Sequence, residues 1–157
     1  EGYDTHAKMN PPLRSLADVE AVREAVRDGT IDVIATDHAP HHNDEKARAF
    51  ADAPNGIIGL ETALAVNVTW LVKPGIVSLA TLIDRMACAP AKLFHLGGGT
   101  LAKGALGDVT VFDPAREWVV DAKTFRTKGR NTPYSGKTLT GKSRLTVVGG
   151  RIAYREA

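Results

Sequence analysis

Ile31-Asp32-Val33-Ile34-Ala35-Thr36-Asp37-His38-Ala39-Pro40-His41 is the stretch on which the fold turns. The β-branched run predicts a buried strand over 31–35. A carboxylate, Asp37, follows at its C-terminal mouth, with imidazoles one and four residues later. A strand end can hold an acid rigidly and still face it toward a cavity, and parallel α/β barrels keep their catalytic groups there. Asp37 is therefore the leading candidate to ligate a divalent metal and to take a proton from metal-bound water. Its ordinary alternative is a helix cap or a solvated loop acid.

Upstream, Asn10-Pro11-Pro12-Leu13-Arg14 cannot be helical through its prolines. Ser15 is a good N-cap, and Leu16, Val19, Val22, Ala25 and Val26 recur at helical spacing up to an Asp28-Gly29 stop. Downstream, residues 37–56 read as a long loop, of the kind that is functional or mobile in a compact domain, closed by the turn signal Pro54-Asn55-Gly56. Leu60 to Val72 predicts a helix apolar almost all round. Ser78 caps a third helix to about Ala89, Pro90 starts a short fourth, and Gly97-Gly98-Gly99 is a hinge. The character then changes. Residues 107–113 alternate like a strand, 118–120 form another short one, and 145–154 read as a hairpin with a Gly149-Gly150 turn. One strand and a few helices cannot close a barrel. The expectation is an α/β chain: the C-terminal part of a (β/α)8 TIM-like barrel over 1–100, then strands of a small β-rich flanking domain over 101–157. The opening Glu1-Gly2-Tyr3-Asp4, without an initiator Met or the start of an element, reads as mid-fold.

Bulk properties exclude little and suggest less. The 157 residues are 43% hydrophobic and 24% charged, which is ordinary for a globular domain. A net charge of +2 gives no argument for nucleic acid or a membrane as partner. No segment approaches the roughly 20 apolar residues that span a bilayer. Cys88 is the single cysteine, so no internal disulfide forms and a reducing cytoplasm is the natural compartment. There is no G-x-S-x-G elbow and no C-x-x-C pair, and the glycine run lacks the Lys-Ser/Thr of a P-loop.

Among other candidates, Asn10 has a constrained backbone that can present its amide to a ligand, or is a turn asparagine. Arg14 is expected to pair with an acid on the first helix. His41 can reach a substrate anion, His38 can orient Asp37, and His42 is expected in solvent. Asn55 and Gly56 can offer backbone groups to a ligand. Glu61 is expected to act at a helix start or in a buried hydrogen bond, His95 to cap a helix C-terminus, and Cys88 to be packed and inert.

Three blocks carry a resemblance. Lys8-Met9-Asn10-Pro11-Pro12-Leu13-Arg14, Thr36-Asp37-His38-Ala39-Pro40-His41 and Pro54-Asn55-Gly56-Ile57-Ile58-Gly59-Leu60-Glu61-Thr62 resemble, in order and spacing, the dihydroorotases of the long bacterial class within the metal-dependent amidohydrolase superfamily. Gly104 to Asp113 is similar to the segment that returns to the small β domain beside such barrels. The resemblance implies that Asp37 is a metal ligand and the catalytic base, that Asn10, His41, Asn55 and Gly56 contact substrate, and that the cofactor is zinc. Where Asn55 stands, the family often has a bulkier residue. The implied reaction is reversible hydrolysis of dihydroorotate to N-carbamoyl-L-aspartate in pyrimidine synthesis, with zinc polarising the carbonyl and supplying hydroxide. The family's other metal ligands lie upstream of this sequence, so this chain alone is expected neither to hold zinc tightly nor to turn over substrate. The N-terminal part of the same enzyme is the implied partner, with a homodimer and an aspartate carbamoyltransferase as further candidates. Competing readings are a hydantoinase or allantoinase, and a non-catalytic dihydroorotase-like subunit that scaffolds the transcarbamoylase.

Overall fold

A computed structural model describes residues 2–156. Helix α1 spans Leu16–Asp28, as its pattern predicts. The Ser15 hydroxyl accepts from the Asp18 N–H and the Asp18 carboxylate accepts from the Ser15 N–H at 3.0 Å, a reciprocal capping box. The Ser15 hydroxyl also donates to the Asp18 carboxylate (2.7 Å), and this bond, with that from the Ser15 N–H, holds the Asp18 carboxyl below the usual carboxylate range. Arg14 pairs with Asp18 at 3.6 Å, the expected partner. Gly29, at φ 91°, ends the helix in the left-handed region. Of the apolar stripe only Val26 is buried, in a cluster with Val68, Val77 and Leu82, and Leu16 is 84% exposed.

The expected strand over 31–35 runs extended but joins no ladder among the described residues. A strand exists through its neighbours' hydrogen bonds. Here the segment has an Ile34 N–H bond to the Arg85 carbonyl (3.0 Å), and a parallel bridge joins His38 to Ile57. The 37–56 loop contains one short helix, α2 (Asn43–Lys46), capped by the exposed His42. The expected second helix is shorter than its apolar run: α3 (Ala63–Asn67) passes into a π-helical turn, Val68–Val72, whose widened bonding is seen in Lys73 N–H to the Val68 carbonyl. Ser78 caps α4 (Leu79–Ile83), a second π-helical turn covers Asp84–Cys88, and α5 (Ala89–Leu93) follows directly. Cys88 is exposed there rather than packed. No helix among the described residues is long and apolar enough to cross a membrane.

Strands β1 (Val109–Val119), β2 (Thr138–Val148) and β3 (Arg151–Arg155) form an antiparallel sheet in the order β1-β2-β3. The two short strands expected at 107–113 and 118–120 are largely one. Pairing breaks register between Asp113 and Glu117, where Pro114 has no N–H to give and the Ala115 N–H turns to the Asp113 carboxylate (3.0 Å). The hairpin at Gly149-Gly150 forms as the sequence indicates.

Two apolar clusters hold this together. Ile58 and Ala65 pack with Val120, Ala122, Phe125 and Leu139, so residues from both sides of position 100 share one core. Val26, Val68, Val77 and Leu82 form the second, under Ile31 and Ile34. Thr69 joins them to the sheet by accepting the Thr140 N–H at 2.8 Å. The extended segment ahead of Asp37 is thus seated on the helical layer.

Candidate functional site

Asp37 stands where the extended segment ends, at φ 43°. Left-handed backbone costs a non-glycine residue about 1 kcal/mol or more and collects at functional positions, although aspartate tolerates it better than most. The carboxylate is exposed and accepts no hydrogen bond among the described residues. It is therefore free of the structural duties, cap or ion pair, that would otherwise explain it.

The next residue does not orient Asp37. His38 turns the other way, and its Nδ1 accepts from the Gly59 and Leu60 N–H groups (3.1 and 3.3 Å). That requires an unprotonated Nδ1. The Ala39 N–H donates to the Ile57 carbonyl (2.9 Å), and a Cβ on Gly59 would lie 3.0 Å from the Thr36 Cβ. Segments 36–39 and 57–60 are laced together at close approach.

His41 continues the pattern. Its Nε2 lies 2.8 Å from the Asn55 carbonyl and its Nδ1 3.6 Å from Glu45. Gly56 has φ 122°, and a Cβ there would sit 2.6 Å from the Ala39 Cβ and 3.1 Å from His41 Nε2, so only glycine fits. Its N–H donates to the Lys8 carbonyl and its carbonyl accepts from Lys46 Nζ and Asn131 Nδ2 (3.1 Å each). Gly56 thus spends both backbone groups inside the chain, and Asn55 is the member of the pair whose side chain stands exposed. Asn55 and Asn10 line one open cleft of about 570 Å³ with Tyr3, Lys8 and Phe50. The Asn10–Pro11 peptide is cis.

Three residues with no site role in the sequence reading hold this rim. Lys8 Nζ donates to the carbonyls of Phe50, Ala51 and Ala53 (2.6, 3.1 and 2.6 Å). Lys46, 1% exposed, donates to those of Pro54 and Gly56 (2.9 and 3.1 Å). Burial, with the nearby Lys8 charge, lowers its pKa. Asn131 is wholly buried: its Oδ1 accepts from the His41 N–H (3.1 Å) and its Nδ2 donates to the Ala39 carbonyl (2.8 Å) as well as to Gly56. Glu61, a sequence candidate, instead anchors the 126–127 backbone, accepting both N–H groups at 3.0 Å.

The structure therefore brings together His41, Asn55 and Gly56, and sets Asn10 beside Asn55. Asp37 is linked to them through the backbone of 38–41 rather than by contact. A larger cleft of about 810 Å³, between α3 and the sheet, is lined by His38 and Glu61 but not by Asp37, Asn10 or His41. Among the described residues no three His, Cys, Asp or Glu side chains are grouped to hold a metal ion. Asp37 suits one oxygen ligand of a larger set.

An acid at the end of an extended segment, followed in the chain by a rim of amide and imidazole groups, suits hydrolytic chemistry. The chain belongs to the amidohydrolase family, whose model matches residues 10–153. It is 52% identical over 154 residues to a dihydroorotase of Geobacter metallireducens, covering 98% of this chain and 36% of the relative. A dihydroorotase of Anaeromyxobacter dehalogenans is 52% identical over 155 residues, with 99% and 36% covered. Among solved structures, the L-hydantoinase (dihydropyrimidinase) of Arthrobacter aurescens superposes with a TM-score of 0.91 at 33% identity, covering 99% of this chain and 36% of that one. The chain thus spans about a third of the length of the relatives it matches.

Proposed function

We propose that the protein carrying this chain is a dihydroorotase, which interconverts dihydroorotate and N-carbamoyl-L-aspartate in the cytoplasm. What supports the reading is one unit of backbone, locked between 36–41 and 55–60, that presents Asp37 at its end and His41 and Asn55 along its rim, in a chain half identical to proteins of that name. Residues 1–100 would be the last part of a (β/α)8 barrel and 101–157 strands of its flanking domain. The remaining two thirds of the length would supply the other metal ligands, the wall facing Asp37, and neighbours for the extended 31–35 segment.

Zinc, held in part by Asp37, would polarise the ring carbonyl and make hydroxide available near neutral pH. The Asp37 carboxylate takes the proton of the attacking water and hands it to the ring nitrogen as the C–N bond breaks, returning to its ionised form. Asn10, His41 and Asn55 hold the substrate, with Gly56 setting the shape of the loop. A homodimer or a transcarbamoylase partner is compatible with this reading.

In the full-length protein, Asp37→Ala is expected to cut kcat by about a thousandfold and to lower zinc content. A variant that keeps its full rate with zinc bound would sink the assignment. This chain purified alone should show neither stoichiometric zinc nor turnover. The hydantoinase neighbours favour one second reading, a cyclic amidohydrolase of related specificity. A panel of dihydroorotate, hydantoin and allantoin separates the two.

A further inference from the structure

We propose that Asn131 is a positioning residue for the substrate loop, acting through His41 and Gly56. The inference rests on the dihydroorotase reading and extends it to a residue remote in sequence from every candidate site group.

Asn131 lies in the connection between β1 and β2, 90 positions from His41. It is 0% exposed, so each of its bonds is made in a dry environment where an unmade bond is costly. Its side chain joins two separate segments. The acceptor Oδ1 fixes the His41 N–H on one, while the donor Nδ2 bridges the Ala39 carbonyl on that segment and the Gly56 carbonyl on the other. Its own carbonyl accepts the Ile58 N–H at 3.0 Å. A Cβ on Gly129, two residues earlier, would come within 2.9 Å of Asn131 Oδ1 and 2.9 Å of the Pro40 Cβ, so the connection presses against the same segment. A carboxamide carries both donor and acceptor on one rigid plane, and both are used here. Asn131 touches none of the reacting atoms. It sets the spacing between the residue that carries His41 and the pair that carries Asn55.

The test uses the full-length protein with Asn131→Ala and Asn131→Asp, the latter keeping an acceptor for His41 but turning an oxygen toward two carbonyls. Leu82→Val is the control, since it opens space in the second core, which has no member in either segment. Both Asn131 variants should raise KM for dihydroorotate about tenfold with kcat changed less, and should speed amide exchange across 39–58 while leaving 64–72 protected. The control should lose thermal stability with KM unchanged. If an Asn131 variant loses stability yet keeps both KM and the 39–58 exchange, the residue is only structural and the proposal falls. If Asn131→Ala does not fold, Asn131→Ser gives the same readouts. Wild-type protein inactive on dihydroorotate would sink the dihydroorotase reading instead. The exchange measurement would still decide whether Asn131 ties the two segments.

Discussion

Replacing Gly56 with alanine isolates what the 55–60 loop needs from its backbone. The new Cβ meets two costs. At φ 122° an L-residue lies outside even the tolerated left-handed basin, a cost of at least the ~1–2 kcal/mol of that basin. The Cβ would also stand 2.6 Å from the Ala39 Cβ, well inside contact distance, which forces a shift of the kind that costs ~1–3 kcal/mol in packed interiors. Together Gly56→Ala should destabilise the loop by ~2–5 kcal/mol. Whatever gives way moves the Asn55 carbonyl off His41, and a displacement near 1 Å at a positioning group costs about a hundredfold in kcat/KM. Adding Ala39→Gly removes the closest steric contact but not the backbone part. The double variant should therefore recover ~1–3 kcal/mol of the loss, a coupling readable in a double-mutant cycle of urea midpoints and kcat/KM. Wild-type behaviour for Gly56→Ala, or strict additivity of the two substitutions, would refute the close packing of 39 against 56.

Lys46→Met keeps most of the buried stem but strands the Pro54 and Gly56 carbonyls; with part of the loss offset by relief of charge burial, it should cost ~2–3 kcal/mol in urea unfolding, and a change under ~0.5 kcal/mol would contradict the bonding described. The Asp18 carboxyl is depressed by Ser15, so its capping contribution is complete above the ordinary carboxylate range and is lost as pH falls through the lower folded value. Amides at the start of α1 should lose exchange protection on that descent in the wild type, and Asp18→Asn should abolish the pH dependence.

Local signals were readable where the partner was local. Ser15 and Asp18 cap a helix three residues apart, Arg14 finds Asp18 four residues on, and the Gly149-Gly150 turn closes its own hairpin. The rim was legible as a set of chemistries but not as a structure. Ile31 to Ala35 has the composition of a strand, yet composition does not supply the ladder a strand requires. Lys46 reads as a solvated charge, because lysine is rarely buried. Its burial follows from five carbonyls that turn toward two ammonium groups across a loop. Asn131 sits among polar neighbours and shows its importance only through contacts 75 to 92 positions away. His38, adjacent to Asp37 in sequence, suggests a partner for it. The left-handed turn at Asp37 sends the two side chains to different tasks.

The curl of residues 50–56 around the lysine ammoniums has a practical corollary. A peptide turn that gathers five carbonyl oxygens would ordinarily recruit a dissociable ion, and would then soften whenever that ion was scarce. Here the positive charges are covalently tethered, so a chelating agent has nothing to extract. On the dihydroorotase reading proposed above, zinc depletion would silence Asp37 while leaving the neighbouring scaffold in shape, ready for reloading without refolding.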